Sequence, residues 1–382
     1  VTFGRLDRIS LVNFRSYSQV DCHVSGKTTY FFGPNGAGKT NLLEAISLLA
    51  PGRGLRGASM SEFAHRPVGE APAGPWSIFA SLRSPSGETA VGTGVENAES
   101  SRRVVRIDAQ PQSPARLSDH LRLVWLTPAQ DRLFIEGGSG RRRFLDRLAL
   151  ASEPGHGQAA ATYEKCIRER TRLLTADQAP DPSWLSALEA SAAESGALVA
   201  QVRASTVMKM QEEIDSRGER PFPQARLTLA GEWESLAVQG CSLDEIADKL
   251  ARALASGRAR DASAGRALTG PHRSDLQVEH VGKGRPAAEC STGEQKALIL
   301  NLILAQAARL SRVKDAPNPI LLLDEVAAHL DPERRAALAD EIAVLDLQAF
   351  VSGTDKALFE SFGSWARGIR VSGGQLMVLE EE

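Results

Sequence analysis

Eight consecutive residues, Gly33-Pro34-Asn35-Gly36-Ala37-Gly38-Lys39-Thr40, match the pattern Gly-x-x-x-x-Gly-Lys-[Ser/Thr]. Glycines let backbone N–H groups turn inward around an anion, and a helix beginning just beyond points its positive end at the same place. Lys39 adds a full charge able to reach the β- and γ-phosphates of a nucleotide, and Thr40 offers a hydroxyl to Mg²⁺. A chance Gly-rich turn would satisfy the pattern equally, and the flanking residues decide against it. Thr28–Phe32 is a short β-branched and aromatic run that reads as a buried strand, while Asn41–Ala50 carries helical periodicity. The motif therefore sits at a strand-to-helix turn, where it is able to cradle phosphate.

A second cluster is Ile320-Leu321-Leu322-Leu323-Asp324-Glu325, an apolar strand ending in adjacent acids. By itself it could be a strand emerging into solvent. Beside a phosphate loop, Asp324 becomes a candidate for the Mg²⁺ shell and Glu325 for orienting or deprotonating an attacking water. Lys39 and Glu325 are then the catalytic candidates of an ATPase, with ATP and Mg²⁺ as its ligands. Between the two motifs lies Cys290-Ser291-Thr292-Gly293-Glu294-Gln295-Lys296-Ala297, ahead of a long helical pattern. Ser291 and Glu294 have the spacing of a capping box. The same helix start, with the Ser291 hydroxyl and the Gly293 amide, is also suited to a γ-phosphate, and both roles can hold at once.

The elements that must position these groups alternate in type. Leu6–Phe14 alternates as a strand, and Trp76–Arg83, Thr89–Val95 and Arg102–Asp108 read as an antiparallel meander, followed by a strand at Leu121–Leu126. From Arg141 to about Gly218 the pattern is helical and Ala-rich, broken near Pro154–Gly157 and at Ala179–Pro182. Ser242–Ser256 is a further helix with a capping box, and Gly257–Gly270 reads as a mobile loop. The α/β rhythm then resumes: helix Thr292–Arg312, strand Ile320–Leu323, helix Pro332–Val344, strand Ala349–Ser352 and closing strands at Ile369–Val371 and Gln375–Leu379. This predicts an α/β nucleotide-binding lobe from residues 1–127 and 271–382, with a largely helical lobe over 128–270 inserted between them.

Composition bounds what else the chain can be. Its 382 residues, 42% hydrophobic and 24% charged, fit a soluble protein of two lobes. The net charge of −2 means that any nucleic-acid contact must use a local basic surface. Cys22, Cys166, Cys241 and Cys290 lie far apart with no Cys-x-x-Cys, which argues against zinc and dense disulfides and for a reducing cytoplasm. The opening residues lack the apolar core of a signal peptide, and no run approaches the roughly 20 apolar residues of a bilayer span. The expectation is a cytoplasmic protein without a membrane partner.

The order of these motifs resembles that of ABC-type ATPases: phosphate loop, Ser-x-Gly-Glu-Gln helix start, strand with terminal Asp-Glu, then His329-Leu330-Asp331, similar to their D-loop. In that superfamily two heads sandwich ATP, each signature helix capping the nucleotide on the other head's phosphate loop. The resemblance therefore implies nucleotide contacts for Ser291, Gly293, Glu294, Gln295 and Asp331. The separation of about 285 residues between Lys39 and Asp324 resembles the SMC and recombination-ATPase branch, where an insertion splits the head.

Within that branch the chain resembles the RecF family of bacterial recombination mediators. Leu11-Val12-Asn13-Phe14-Arg15-Ser16-Tyr17 resembles the family's opening strand and turn, Gly138–Asp146 its Gly-x-x-x-Arg-Arg-x-Phe-Leu-Asp segment, and Gly270-Pro271-His272-Arg273-Ser274-Asp275-Leu276 its Gly-Pro-His-Arg-Asp-Asp-Leu segment. The resemblance runs from about residue 5 to 355. It implies an ABC-type P-loop ATPase head (lobe I) with an inserted, mainly helical lobe II and no long coiled coil. It further implies a slow, DNA-stimulated ATPase that dimerises on ATP at gapped DNA in recombinational repair and replication. RecR and RecO family proteins would be partners in recombinase loading. Ser274 departs from the family's acid, and the basic segment is one residue shorter between its Gly and its Arg pair. Thr127–Asp131 matches loosely and assigns Gln130 to the Q-loop, near the metal. The transporter-type switch His is missing from Val351-Ser352-Gly353-Thr354-Asp355, so its role is vacant or filled by Thr354.

Several residues keep two readings. Arg141–Arg143 could meet DNA phosphate or pair within the molecule; Arg258, Arg260 and Arg266 could meet DNA or simply face water. His272 and Arg273 could couple the lobes or be structural. His329 stands apart from other potential metal ligands. A chromosome-organising SMC head is the main rival, but the roughly 140-residue insert shows no sustained heptad repeat. The large insert counts against a transporter ATPase, and the lack of a further acidic cluster against a nuclease fusion.

Overall fold

The computed structural model of the chain describes residues 4–379 except 68, 70, 72, 73, 85, 86, 179 and 219, so Ala179 of the expected helix break lies outside the described residues. Apolar alternation in the first segment becomes β1 (Arg5–Phe14), which turns through Arg15, at φ 52°, into β2 (Tyr17–His23). β3 (Thr29–Phe32) leads to α1 (Lys39–Ser47). The meander follows as β4 (Ser77–Ser84), β5 (Gly87–Gly94), β6 (Val104–Ile107) and β7 (Gln110–Gln112), then β8 (Arg122–Leu126). The middle of the chain forms α2 (Gly138–Leu150), α3 (His156–Leu174), α4 (Pro182–Ser216), β9 (Ala225–Ala230), α5 (Glu232–Val238), α6 (Leu243–Ser256), α7 (Arg258–Ala264), β10 (Asp275–His280) and β11 (Arg285–Pro286). The last part gives α8 (Thr292–Ser311), β12 (Pro319–Leu323), α9 (Pro332–Val344), β13 (Gln348–Gly353), β14 (Arg367–Ser372) and β15 (Gln375–Val378).

The described residues fall into two compact units, one from Val1–Asp131, Gly218–Pro223 and Thr292–Glu382, the other from Arg132–Arg217 and Gln224–Ser291. The first holds two six-stranded sheets. One is antiparallel, in the order β2-β1-β4-β5-β6-β7; the other, β15-β14-β3-β13-β12-β8, is parallel except for its edge strand β15. α1 packs against β1 of the first sheet and β13 of the second, and buries Leu42, Leu43, Ala45 and Ile46. Phe14, Phe63 and Trp76 close one part of this core, with Phe14 and Phe63 stacked at 5.6 Å. Gln348, 1% exposed, joins the two sheets: its Nε2 donates to the Leu6 carbonyl at 2.8 Å and its Oε1 accepts from the Leu6 amide at 2.7 Å.

In the second unit α4 runs 35 residues, but it is buried along its length against α3, α5 and α6 and is not a coiled-coil arm. Alanines at 192, 193, 197 and 200 allow close helix approach. Gly196 allows more, since a Cβ there would lie 2.8 Å from Leu250 and 3.0 Å from the Tyr163 ring. The 128–270 span expected from sequence differs from this unit, which continues through β10 and β11 to Ser291. β10 pairs with β9, placing Asp275 opposite Ala230, and no local pattern signals a partner so far away in the chain. Residues 218–223 belong to the first unit, where Arg220 pairs with Glu341 at 2.8 Å and Asn301 donates to the Pro223 carbonyl.

The loop expected at Gly257–Gly270 is a correction: Arg258–Ala264 is helix α7. Its anchor is Asp261, 1% exposed, which accepts from Arg170 at 2.7 Å and from the Leu268 amide at 3.0 Å. Arg170 is wholly buried and also holds Glu189 at 2.8 Å and the Leu254 carbonyl at 2.6 Å. Among the described residues no helix is long and apolar enough to cross a membrane. An Arg170→Met substitution leaves the buried Asp261 without its cation and Glu189 with Arg258 alone, and should cost the second unit about 3–5 kcal/mol. Hydrogen exchange should show α3 and α7 losing protection while β3 and β13 keep theirs.

Candidate active site

The phosphate loop begins just past Phe32, the last paired residue of β3. Gly33, at φ 149°, passes so close to β14 that a Cβ would lie 2.2 Å from the Val371 carbonyl oxygen. Gly38, at φ 113°, is the N-cap of α1, and a Cβ there would meet the Tyr17 hydroxyl at 2.6 Å. Only glycine fits either place without strain. Tyr17 donates to the Gly38 carbonyl at 3.1 Å, and Asn41 donates to Ser16 Oγ at 3.0 Å. The Arg15-Ser16-Tyr17 turn is thus the brace under the loop, a contact the sequence resemblance located without explaining. Burial pushes the Tyr17 phenol up, so the hydroxyl stays a donor.

Lys39 is 4% exposed and curls over the loop, its Nζ donating to the Gly33 and Pro34 carbonyls at 2.7 and 2.8 Å. Burial lowers its ammonium from the ordinary value, while Glu325 and Asp324 push it back up. The charge is therefore held over the Gly33–Lys39 cradle, which includes Pro34, Asn35, Gly36 and Ala37. Thr40 Oγ1 donates to Asp324 Oδ1 at 3.0 Å, bringing together residues 284 positions apart. A hydroxyl and a carboxylate at this spacing form a hard-oxygen pair suited to Mg²⁺, with phosphate and water oxygens free to complete its shell. ATP and Mg²⁺ fit the residues present.

Asp324, 5% exposed, lies just past β12, and Glu325 follows at φ 56° and ψ 15°, a left-handed conformation costing about 1–2 kcal/mol for a residue with a Cβ. Ser352 offsets part of that cost. Its Oγ, fully buried, donates to Asp324 Oδ1 at 2.6 Å and accepts from the Glu325 amide at 2.9 Å. Sequence reasoning missed this role; the signal was a lone hydroxyl at the end of an apolar strand. It also missed Glu44, a wholly buried acid on α1 held by Arg15 at 2.8 Å and by Arg56 at 3.1 Å.

Other expected site residues are placed differently. Gln130 Oε1 accepts from both the amide and the hydroxyl of Thr127 at 2.9 Å, a capping box on its own turn. Asp331 caps α9, accepting from the Arg334 amide at 2.8 Å. Ser291, Thr292 and Gly293 are exposed at the start of α8, Glu294 lies in its first turn and Gln295 is buried. Thr354 is exposed just after β13. Lys296 of α8 pairs with Asp131 at 2.8 Å, beside a small cleft that Leu126, Asp324 and Leu330 also line.

The arginines proposed for DNA divide. Arg141 is bound to Asp275 at 2.7 Å, and Arg142 donates to the Ser274 carbonyl at 2.6 Å, so both are spent inside the second unit; Arg143 is exposed. Arg258 grips the buried Glu189, donating through Nε at 3.0 Å. His272 is structural, its Nδ1 2.6 Å from the Tyr163 hydroxyl and its Nε2 3.1 Å from the Ala267 carbonyl oxygen. Burial lowers its pKa from the ordinary imidazole value. Ser274, the departure from the family pattern, is buried and accepts from Arg203 at 3.0 Å.

Known proteins resemble the chain in family and fold. The model of the RecF/RecN/SMC N terminal domain matches residues 5–374. The DNA replication and repair protein RecF of Caulobacter sp. (strain K31) is 59% identical, with 98% of each chain covered. The protein of the same name from Caulobacter vibrioides is 58% identical over the same shares. A solved structure of the recombination mediator protein RecF, RecF-ATPrS in the RecFOR pathway, superposes with a TM-score of 0.82 over 98% of each chain at 24% identity, which carries the fold.

Lys39→Ala removes the one ammonium over the loop together with its bonds to Gly33 and Pro34. Binding of a fluorescent ATP analogue should weaken about a hundredfold, about 2.7 kcal/mol, with the circular dichroism spectrum unchanged.

Proposed function

The chain belongs to the RecF family, and on that premise we propose that it is an ATP-dependent DNA-binding protein of replication and recombinational repair. In this reading ATP closes two copies into a dimer on gapped duplex DNA, and slow hydrolysis, stimulated by DNA, reopens it. Each copy would supply its phosphate loop to one nucleotide and its signature turn to the other. The observation that carries the reading is the split character of the site. Thr40, Asp324, Lys39 and Glu325 converge within one molecule, whereas Ser291, Thr292 and Gly293 are exposed at the start of α8, a helix end suited to phosphate.

Each residue then has a task. The loop amides and Lys39 bind the triphosphate and offset its growing charge. Mg²⁺, when bound at Thr40 and Asp324, neutralises and orients the phosphate oxygens. Glu325 takes the proton of the attacking water. Ser291, Gly293, Glu294, Gln295 and Asp331 act on the partner's nucleotide, so hydrolysis depends on dimerisation. Proteins of the RecR and RecO families are the proposed partners in loading recombinase, and the cytoplasm is the proposed compartment. A chromosome-organising SMC head is a poorer reading, because the long α4 is folded into its own unit and the full-length relatives are RecF proteins.

Mass measurement by light scattering with ATP and gapped DNA tests the shared site. The parent should double its mass. Ser291→Arg should bind ATP as a monomer and fail to pair, and Glu325→Gln should pair and stay paired. A Ser291→Arg protein that dimerises as the parent does would end the proposal.

A further inference from the structure

Three strand and helix ends meet at one carboxylate oxygen. Asp324 Oδ1 accepts from Thr40 at 3.0 Å and from Ser352 at 2.6 Å, and the Ser352 oxygen in turn accepts from the Glu325 amide at 2.9 Å. Ser352 lies in β13, the strand between β3 and β12, so its hydroxyl reaches the turn that carries the acidic pair, while Thr40 meets the same Asp324 oxygen from the side of the phosphate loop. It is fully buried. Glu325 is the residue that needs this support. It is held at φ 56°, a conformation that residues with a Cβ leave readily unless neighbouring groups restrain them.

We infer that Ser352 is a positioning residue for hydrolysis: its hydroxyl holds the left-handed turn at Glu325 and the rotamer of Asp324. The inference rests on the proposed ATPase reading and deepens it. Ser352 makes no hydrogen bond to the phosphate loop itself; those of Lys39 go to Gly33 and Pro34, and Tyr17 braces Gly38. Removing the hydroxyl should therefore leave ATP capture in place and misdirect the Glu325 carboxylate. A structural contact alone would lower stability without separating binding from turnover.

The test compares Ser352→Ala with Ser352→Thr and Ser352→Cys in the full chain. In nucleotide-free protein, hydrogen exchange at the Glu325 amide should quicken in Ser352→Ala and return toward the parent rate in Ser352→Thr. With ATP, Ser352→Ala should keep the parent's dissociation constant within about threefold while kcat falls about ten- to a hundredfold. Ser352→Thr should recover most of the turnover, and Ser352→Cys, similar in size but a poor partner for the amide, should not. Parent-like turnover and exchange in Ser352→Ala would overturn the inference, as would a loss of ATP binding as large as the loss of turnover. A parent protein without any ATPase activity would overturn the reading of the site and the inference together; a working parent with an unaffected Ser352→Ala would overturn the inference alone.

Discussion

The shared carboxylate oxygen of Asp324 is the constraint on which the rest of the first unit turns. Thr40 stands at the start of α1, Asp324 just past β12 and Ser352 near the end of β13, and their three oxygens lie within hydrogen-bond reach in pairs. For this to happen β3, β13 and β12 must be adjacent and parallel, so that their C-terminal ends coincide. The apolar strands are buried on both faces, and their polar termini are then forced to one rim. A parallel sheet with its ligand groups at the carboxyl ends of the strands is the physical result.

Close approach does the rest. Glycine at 33 and 38 allows β14 and Tyr17 to pack where a side chain would collide. Lys39 donates to two carbonyls inside the fold, where burial lowers its pKa and the nearby Glu325 and Asp324 oppose that shift. Such a site has its electrostatics assembled before any anion arrives, so little reorganisation remains for the binding step.

In the second unit Arg141, Arg142 and Arg258, candidate DNA contacts by sequence, serve as internal ties, and buried arginines that were never such candidates do the same. Arg170 joins α3 to α4 and α7, while Arg203 is bound to Asp146 at 2.7 Å and lies 3.4 Å from Glu234. Burial raises Asp146, and the bonds from His156 and Arg203 outweigh it, leaving the carboxyl at about 2. Buried charges of this kind are stable only with their partners in place. The alanine-rich helices, which bury little area per residue, are thereby held in one register.

Much of the site was legible in the residues alone. The phosphate loop, the acidic pair and the signature turn are local patterns whose chemistry follows from residue type and spacing, and glycine at a strand-to-helix turn signals itself. The capping box at Ser242 and the bounds of α9 follow in the same way, because caps and proline act within one turn. What only the tertiary structure decided depends on pairs remote in sequence. Ser352 meets Asp324 across 28 positions, Arg141 meets Asp275 across 134, and β10 finds β9 to extend the second unit to Ser291. A helix at α7 in place of a loop, and a Gln130 turned onto its own cap, depend on which neighbour supplies the better hydrogen bond, and folding makes that choice in space.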